Sequence, residues 1–434
     1  MKIPRKVILI AGTAALMGLV FPYANSAVDR TYQQLKTIVD VLELIKENYV
    51  EETDSQKLIY GAAHGMVREL DDFSQFMEPD LYKRIKSDTE GEFGGIGIRV
   101  DVREGWLTVV TPLPNTPAYR AGLYPGDKII KIEGESTKDM IIDEAIKRLR
   151  GTPGAKVNIT TAREPEGDKD ADWIQRDVTL VRELIKTEAV RFKMLDNKIG
   201  YIKLIDFTGH VTEDVDRAME SLKAKGMEAL VIDVRYNPGG LLSASVDISK
   251  LFIDDNRMIV YTKGRRPENY QEFRAGSKAP FPSLPVVVLV NRYSASASEI
   301  LAGALQDNKR AVIIGERTFG KASVQSMIPL SDKSALRLTI AKYYTPSGKS
   351  IHRDAKGENG GIAPDIEVKV DRETETKLIK QGEELFYPGK EGEKSPPGGD
   401  KNGKEKPKVR DEVLERGLEL LKAREVLGNL RAAK

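Results

Sequence analysis

The chain has 434 residues, long enough for about two to four packed units rather than one core. Its 68 Lys plus Arg against 66 Asp plus Glu leave a net charge of +2, and only 6% of residues are aromatic, which argues against a nucleic-acid binder working through a basic, aromatic-rich surface. The absence of cysteine excludes disulfides, thiol catalysis and thiolate metal sites, and His64, His210 and His352 stand isolated in sequence, so no metal and no cofactor is expected.

At the N-terminus Lys2, Arg5 and Lys6 precede an apolar run from Val7 to Phe21, followed by small residues at Tyr-Ala-Asn-Ser-Ala (23 to 27). This is the layout of a secretory signal. The run is short for a bilayer span, though residues 7 to 27 could serve as an uncleaved anchor if tilted. Either way the rest of the chain is expected outside the cytoplasm, periplasmic or secreted, with a membrane tether where the leader is retained.

From residue 29 to 87 the pattern is helical. Leu35, Ile38, Val39, Leu42, Ile45 and Tyr49 recur three and four apart, a second helix is expected over 55 to 70, and Glu78-Pro79 precedes a third. Next comes Gly91-Glu-Phe-Gly-Gly-Ile-Gly-Ile98, then alternating strands and turns to about Val181. A solvated excursion is expected over 164 to 172. The segment Asn115-Thr-Pro-Ala-Tyr-Arg-Ala-Gly-Leu-Tyr-Pro-Gly-Asp127, continuing to Gly134, closely resembles a PDZ domain. That resemblance makes Gly95, Ile96, Gly97 and Ile98 the loop that binds a carboxylate. Glycines there free backbone N–H groups, and the following strand can accept a peptide as an extra strand.

Beyond 185 strands and helices alternate, which implies an α/β core with a mostly parallel sheet. Strands are expected at Ile199 to Ile205, Ala229 to Val234, Val286 to Val290 and Val312 to Ile314. Helices are expected at Thr212 to Lys225, Leu242 to Leu251 and Ser296 to Gln306, with Arg235-Tyr-Asn-Pro-Gly-Gly240 as a sharp turn. Residues 386 to 408 are a Gly, Pro, Lys and Glu-rich linker, and Asp411 to Leu427 an amphipathic terminal helix.

Gly315-Glu-Arg-Thr-Phe-Gly-Lys321 spells the first seven positions of a phosphate-binding loop. The eighth, where a hydroxyl would bind magnesium, is Ala322, and Ser323 to Leu330 reads as extended rather than helical, so the loop is not a nucleotide site. Lys321 then needs other chemistry. Upstream of it the cluster Asn291-Arg-Tyr-Ser-Ala-Ser-Ala-Ser-Glu299 follows a buried strand and opens a helix, where a serine can be presented as a nucleophile. A lysine whose pKa is lowered by burial can act as its base. Taken alone, the cluster reads more readily as a small-residue helix start packed on the sheet, beside a surface lysine.

The order of motifs decides between these. Residues 29 to 370 resemble the carboxyl-terminal processing peptidases, the tail-specific serine peptidases of family S41. The resemblance runs through Gly65-Met66, Leu70-Asp71-Asp72-Phe73-Ser74, the PDZ segment, Asp233-Val-Arg-Tyr-Asn-Pro-Gly-Gly240, the serine cluster, Gly315 to Gln325, and Leu336 to Gly348. Asp71-Asp72-Phe73 departs from the family's Asp-Pro-His in what reads as a structural turn. The resemblance implies a multi-domain α/β protein with a crotonase-like core. Its parts are a signal peptide or anchor (1–27), a helical region (28–90), the PDZ domain (91–184), the peptidase core (185–371) and a C-terminal region (372–434).

It also implies Ser296 as nucleophile, Lys321 as base and Gln325 as the residue that orients the lysine. Gly239 or Gly240 would join Ala297 in an oxyanion hole, and Arg150 would be a regulatory contact near the junction of PDZ domain and core. Expected partners are proteins or peptides with free C-termini, and a second copy of the chain through the terminal helices. Two rivals fit less well. A trypsin-like protease needs a β-barrel and a Gly-Asp-Ser-Gly nucleophile, neither of which is present. A catalytically inactive PDZ peptide-binding scaffold predicts a broken triad.

Overall fold

The computed structural model describes residues 32–113, 115–165, 172–353, 359–386 and 409–432. The expected leader, most of the 164–172 excursion and nearly all of the 386–408 linker lie outside them. The chain forms two compact units, one comprising residues 1–79 with 327–338, the other residues 80–326 with 339–434.

In the smaller unit, helix α1 (32–48) leaves Leu35, Ile38 and Val39 exposed, with Leu42 and Ile45 half-buried. Helix α2 (Ser55–Arg68) starts where the Asp54 side chain accepts from the N–H groups of Gln56 and Lys57. It packs Tyr60 and Val67 on Phe76 of β1 (Gln75–Met77), which pairs antiparallel with Ala335–Arg337. The turn before β1 is held by Asp71, whose Oδ1 accepts from the N–H groups of Phe73 (2.8 Å) and Ser74 (2.7 Å). The departure at 71–73 is therefore a structural turn built on an Asx bond.

The larger unit begins with α3 (Pro79–Glu90) and the ribbon strand β2 (Glu92–Gly95). The PDZ sheet follows: β3 (Ile98–Arg103), β4 (Trp106–Pro112), the short α4 (Pro117–Arg120), β5 (Lys128–Ile132), β6 (Glu135–Ser136), α5 (Ile142–Leu149), β7 (Lys156–Arg163) and β8 (Ile174–Val181). The strand order β3-β4-β5-β7-β8 leaves β3 at an edge. Inward residues Ile96, Leu107, Val109, Ile129, Ile132 and Leu149 form its own core. Strand β9 (Glu183–Lys186) returns antiparallel to β2, so a two-stranded stem closes the domain.

The core sheet runs β10 (Val190–Leu195), β11 (Ile199–Leu204), β12 (Ala229–Asp233), β15 (Val286–Val290), β16 (Ala311–Gly315) and β19 (Ile366–Glu367). Only the β10–β11 pair is antiparallel; the others are parallel. Strands β12 and β15 are buried along their whole length, as expected for parallel strands covered on both faces. On one face lie α6 (Val211–Ala224), α7 (Leu242–Lys250) and α8 (Ala297–Asp307). Helix α6 buries Val211, Val215, Ala218, Met219 and Leu222 at helical spacing, while α8 is buried on nearly all sides. On the other face Val413 and Leu421 of α10 (Glu412–Ala432) cover Val287, Leu289 and Ile314. Strands β13 (Met258–Gly264) and β14 (Gln271–Arg274) complete the unit together with those residues of β17 (Ser323–Pro329) and β18 (Ala335–Tyr344) that lie outside 327–338, β13 pairing with β14 and with Ala341–Tyr344. Helix α9 (Arg372–Phe386) has no counterpart in the sequence reading. The terminal helix runs five residues further than its apolar spacing suggests.

Candidate active site

The parallel strands β12 and β15 end at Asp233 and Val290, and the turns that follow bring together the 235–240 loop and the serine cluster. Within that cluster the three serines are distinguished by what their hydroxyls do. Ser294 Oγ donates to Val234 O (2.8 Å) and accepts from Asn291 N–H (3.0 Å). Ser298 Oγ donates to Asn237 O (3.0 Å). Both are fully buried structural bridges between the two loops. Ser296, at the N-cap of α8, instead has φ +55° and ψ −113°, a conformation L residues seldom adopt. Its hydroxyl faces the phenol of Tyr343 on β18, whose pKa burial pushes up to about 12.

Glu299 ties Ser296 to the lysine loop. Its Oε2 accepts from the N–H groups of Ser296 (2.8 Å) and Lys321 (2.9 Å), and its Oε1 from Thr318 Oγ1 (2.6 Å) and Gly320 N–H (2.7 Å). The Thr318 hydroxyl also accepts from Ile362 N–H (2.6 Å), which commits its proton to the carboxylate. Burial raises the Glu299 pKa, and its four donors oppose that rise by favouring the ionised form. One oxygen thus holds the backbones of Ser296 and Lys321 within side-chain reach of each other. Lys321 itself is half-buried, and Tyr343 N–H donates to Ala322 O (2.8 Å) beside it. Gln325 is half-buried on β17. The sequence names Glu299 only as the end of the serine cluster and assigns it no role, although Ser296-x-x-Glu299 at a helix start is a capping-box signature.

The glycines of the 235–240 loop are required by close approach. A Cβ on Gly239 (φ +107°) would lie 2.8 Å from Ser296 Cβ and 2.9 Å from Ala297 N; one on Gly240 (φ +134°) would lie 2.3 Å from Phe207 O. The Gly239 N–H is used, donating to Asn237 Oδ1 (2.8 Å). Those of Gly240 and Ala297 have no acceptor among the described residues.

Behind this loop Asp233 is fully buried. Its carboxylate accepts from Arg235 Nη2 (2.7 Å) and Tyr201 OH (2.7 Å), with Lys203 Nζ at 3.7 Å. Arg235 also grips Asp411, at the start of α10, with two bonds of 2.8 Å. Burial alone would raise the Asp233 pKa, but the charges of Arg235 and Lys203 hold it well below the carboxylate range.

In the PDZ domain a groove of about 550 Å³ runs between β3 and α5, lined by the 95–98 loop, Val100, Ile146, Leu149 and Arg150. The N–H groups of Ile96 and Gly97 donate to no backbone carbonyl among the described residues. Arg150 stacks on Phe93 (4.2 Å) and pairs with Asp88 (3.0 Å). No cluster of His, Asp and Glu suited to a metal occurs among the described residues.

Comparison with known proteins matches this architecture. A family model of peptidase family S41 matches residues 198–368, a PDZ domain model matches 108–163, and a model of the activating protease CtpB N-terminal domain matches 20–80. The carboxy-terminal-processing protease of Bartonella bacilliformis is 39% identical over 373 residues, covering 84% of this chain and 83% of its own. The carboxy-terminal processing protease CtpA of Bacillus subtilis is 34% identical over 364 residues, covering 84% and 74%. The solved photosystem II D1 C-terminal processing protease aligns at 28% identity over 76% of this chain and 92% of its own, with a TM-score of 0.44. By sequence and domain content, the chain belongs to the carboxy-terminal-processing serine proteases of peptidase family S41 and carries a PDZ domain.

Proposed function

We propose that the chain is an endopeptidase that engages protein C-termini through its PDZ groove and cleaves nearby bonds with Ser296 and Lys321. The observation that carries this reading is the Glu299 bridge, with one oxygen on both the Ser296 and Lys321 amides. The neutral Lys321 amine takes the Ser296 Oγ proton as Oγ attacks the scissile carbonyl carbon. The resulting oxyanion is met by the N–H of Ala297 and that of Gly240, since the Gly239 N–H is already spent on Asn237. The Lys321 ammonium then gives its proton to the leaving amine, and water, deprotonated by the same lysine, hydrolyses the ester. Gln325 orients the lysine.

The substrate's terminal carboxylate is received by the amides of the Gly95–Ile98 loop. Arg150, on the wall of that groove and paired with Asp88, is the contact through which a docked tail alters the fit of PDZ domain and core. The protein works outside the cytoplasm, tethered by or released from its N-terminal segment. It self-associates through its terminal helices, an arrangement that would cover the exposed Leu35, Ile38 and Val39. It does not act on nucleic acid.

The test is to incubate the protein, Ser296→Ala, Lys321→Ala and the double variant with a mixture of secreted proteins and identify new C-termini. Each single variant should lose as much activity as the double, because residues acting as one unit are not additive. Turnover by Ser296→Ala would reject the assignment. A cleavage rate that does not rise with pH would reject the lysine base.

A further inference from the structure

The PDZ groove and a second cavity share one wall. The second cavity, about 420 Å³, lies on the sheet face covered by α10. Arg99, on β3 immediately after the Gly95–Ile98 loop, lines both spaces. Its side chain is exposed and makes no ion pair with any described residue. The nearby acids are already engaged. Asp101 lies 3.6 Å from Arg103, Asp233 and Asp411 are held by Arg235, and Glu316 and Glu375 by Arg292.

Strand geometry aims this unmatched charge. The register shift in the β3–β4 pair puts its extra residue, Val110, on β4, so β3 alternates regularly. Ile98 and Val100 pack on the PDZ core, which turns Arg99 to the opposite side. A tail added antiparallel to the open edge of β3 alternates in the same way. Its last side chain, and the one two before it, enter the groove. The first and third before the last point outward, beside Arg99 at cross-strand distance.

We propose that Arg99 selects substrates carrying Asp or Glu at these outward positions just upstream of the C-terminus. This rests on the C-terminal recognition proposed above and names the class of tail it accepts.

The experiment uses the full chain and peptides identical except for Glu, Gln or Lys at both outward positions, each as free acid and C-terminal amide. For the wild type kcat/KM should fall from Glu to Gln to Lys, by roughly five- to tenfold overall, mainly through KM and less at high salt. Arg99→Gln should flatten the series and Arg99→Glu should reverse it. Equal cleavage of the Glu and Lys acids by the wild type, or an unreversed order in Arg99→Glu, overturns the assignment. Amides cleaved as well as acids would overturn C-terminal recognition itself. A free-acid advantage without charge preference overturns the Arg99 assignment alone.

Discussion

The N–H of Ser296 donates to Glu299 Oε2 at 2.8 Å, three residues further along the chain. That bond fixes a serine at φ +55°, and the same oxygen holds Lys321 N–H at 2.9 Å. Glu299→Gln should therefore be costly beyond its size. An amide offers one acceptor oxygen where four donors converge, so its NH₂ must face two of them. Each buried donor left unmatched costs about 1–3 kcal/mol. Thermal unfolding should show a lowered Tm, and kcat should fall at least about a hundredfold. Wild-type kcat in this variant would show that the bridge does not position the site.

The serine cluster should separate stability from activity. Ser294→Ala leaves the Asn291 N–H without its acceptor and should destabilise by about 1–3 kcal/mol, while Ser298→Ala removes one of two donors to Asn237 O and should cost about 0.5–1.5 kcal/mol, both measured by denaturant unfolding. Ser296→Ala should leave stability nearly unchanged and abolish cleavage. An active Ser296→Ala with an inactive, stably folded Ser298→Ala would move the nucleophile.

Tyr343 faces the Ser296 hydroxyl from β18, and Tyr343→Phe keeps the buried ring while removing that contact. One neutral hydrogen bond is worth about 0.5–1.5 kcal/mol, so kcat should drop about two- to tenfold with KM and Tm little changed. The phenol, with its pKa at about 12, stays protonated throughout the working range, so the shape of the pH–rate profile should not change. An unaltered kcat would make Tyr343 a packing residue only.

Asp233 sets the acid limit of the fold. Its folded pKa is depressed, so its stabilisation is present above the ordinary carboxylate pKa and lost as pH falls through the lower folded value. The wild-type Tm should decline between about pH 5 and pH 2. Asp233→Asn should be less stable at neutral pH by about 3–5 kcal/mol, since it leaves Arg235 and Lys203 short of their buried partner. That variant should also lose part of the acid slope. A parallel decline in both proteins would assign the slope to other carboxylates.

Much of this protein was legible in its sequence, for physical reasons that differ by region. Val286–Val290 is an unbroken β-branched and leucine run that only a doubly covered strand accommodates. The α6 face repeats at helical spacing, and the PDZ turn residues and Gly239-Gly240 are dictated by local backbone geometry. The order of the family's motifs points to Ser296, Lys321 and Gln325, the residues of the proposed mechanism, which stand near one another along the chain.

What sequence could not give depends on contacts between distant segments. Spacing alone offers Glu299 at most a capping role, and only the fold brings Thr318, Gly320 and Lys321 to its carboxylate. The bonding of Ser294 and Ser298 depends on carbonyls about sixty residues away in the chain, and that of the Gly239 N–H on the Asn237 side chain. The Asp233–Arg235–Asp411 network joins a strand end to a helix start across 176 residues of sequence. Periodicity records which face a residue turns to the core; only the tertiary fold decides which buried polar groups satisfy one another.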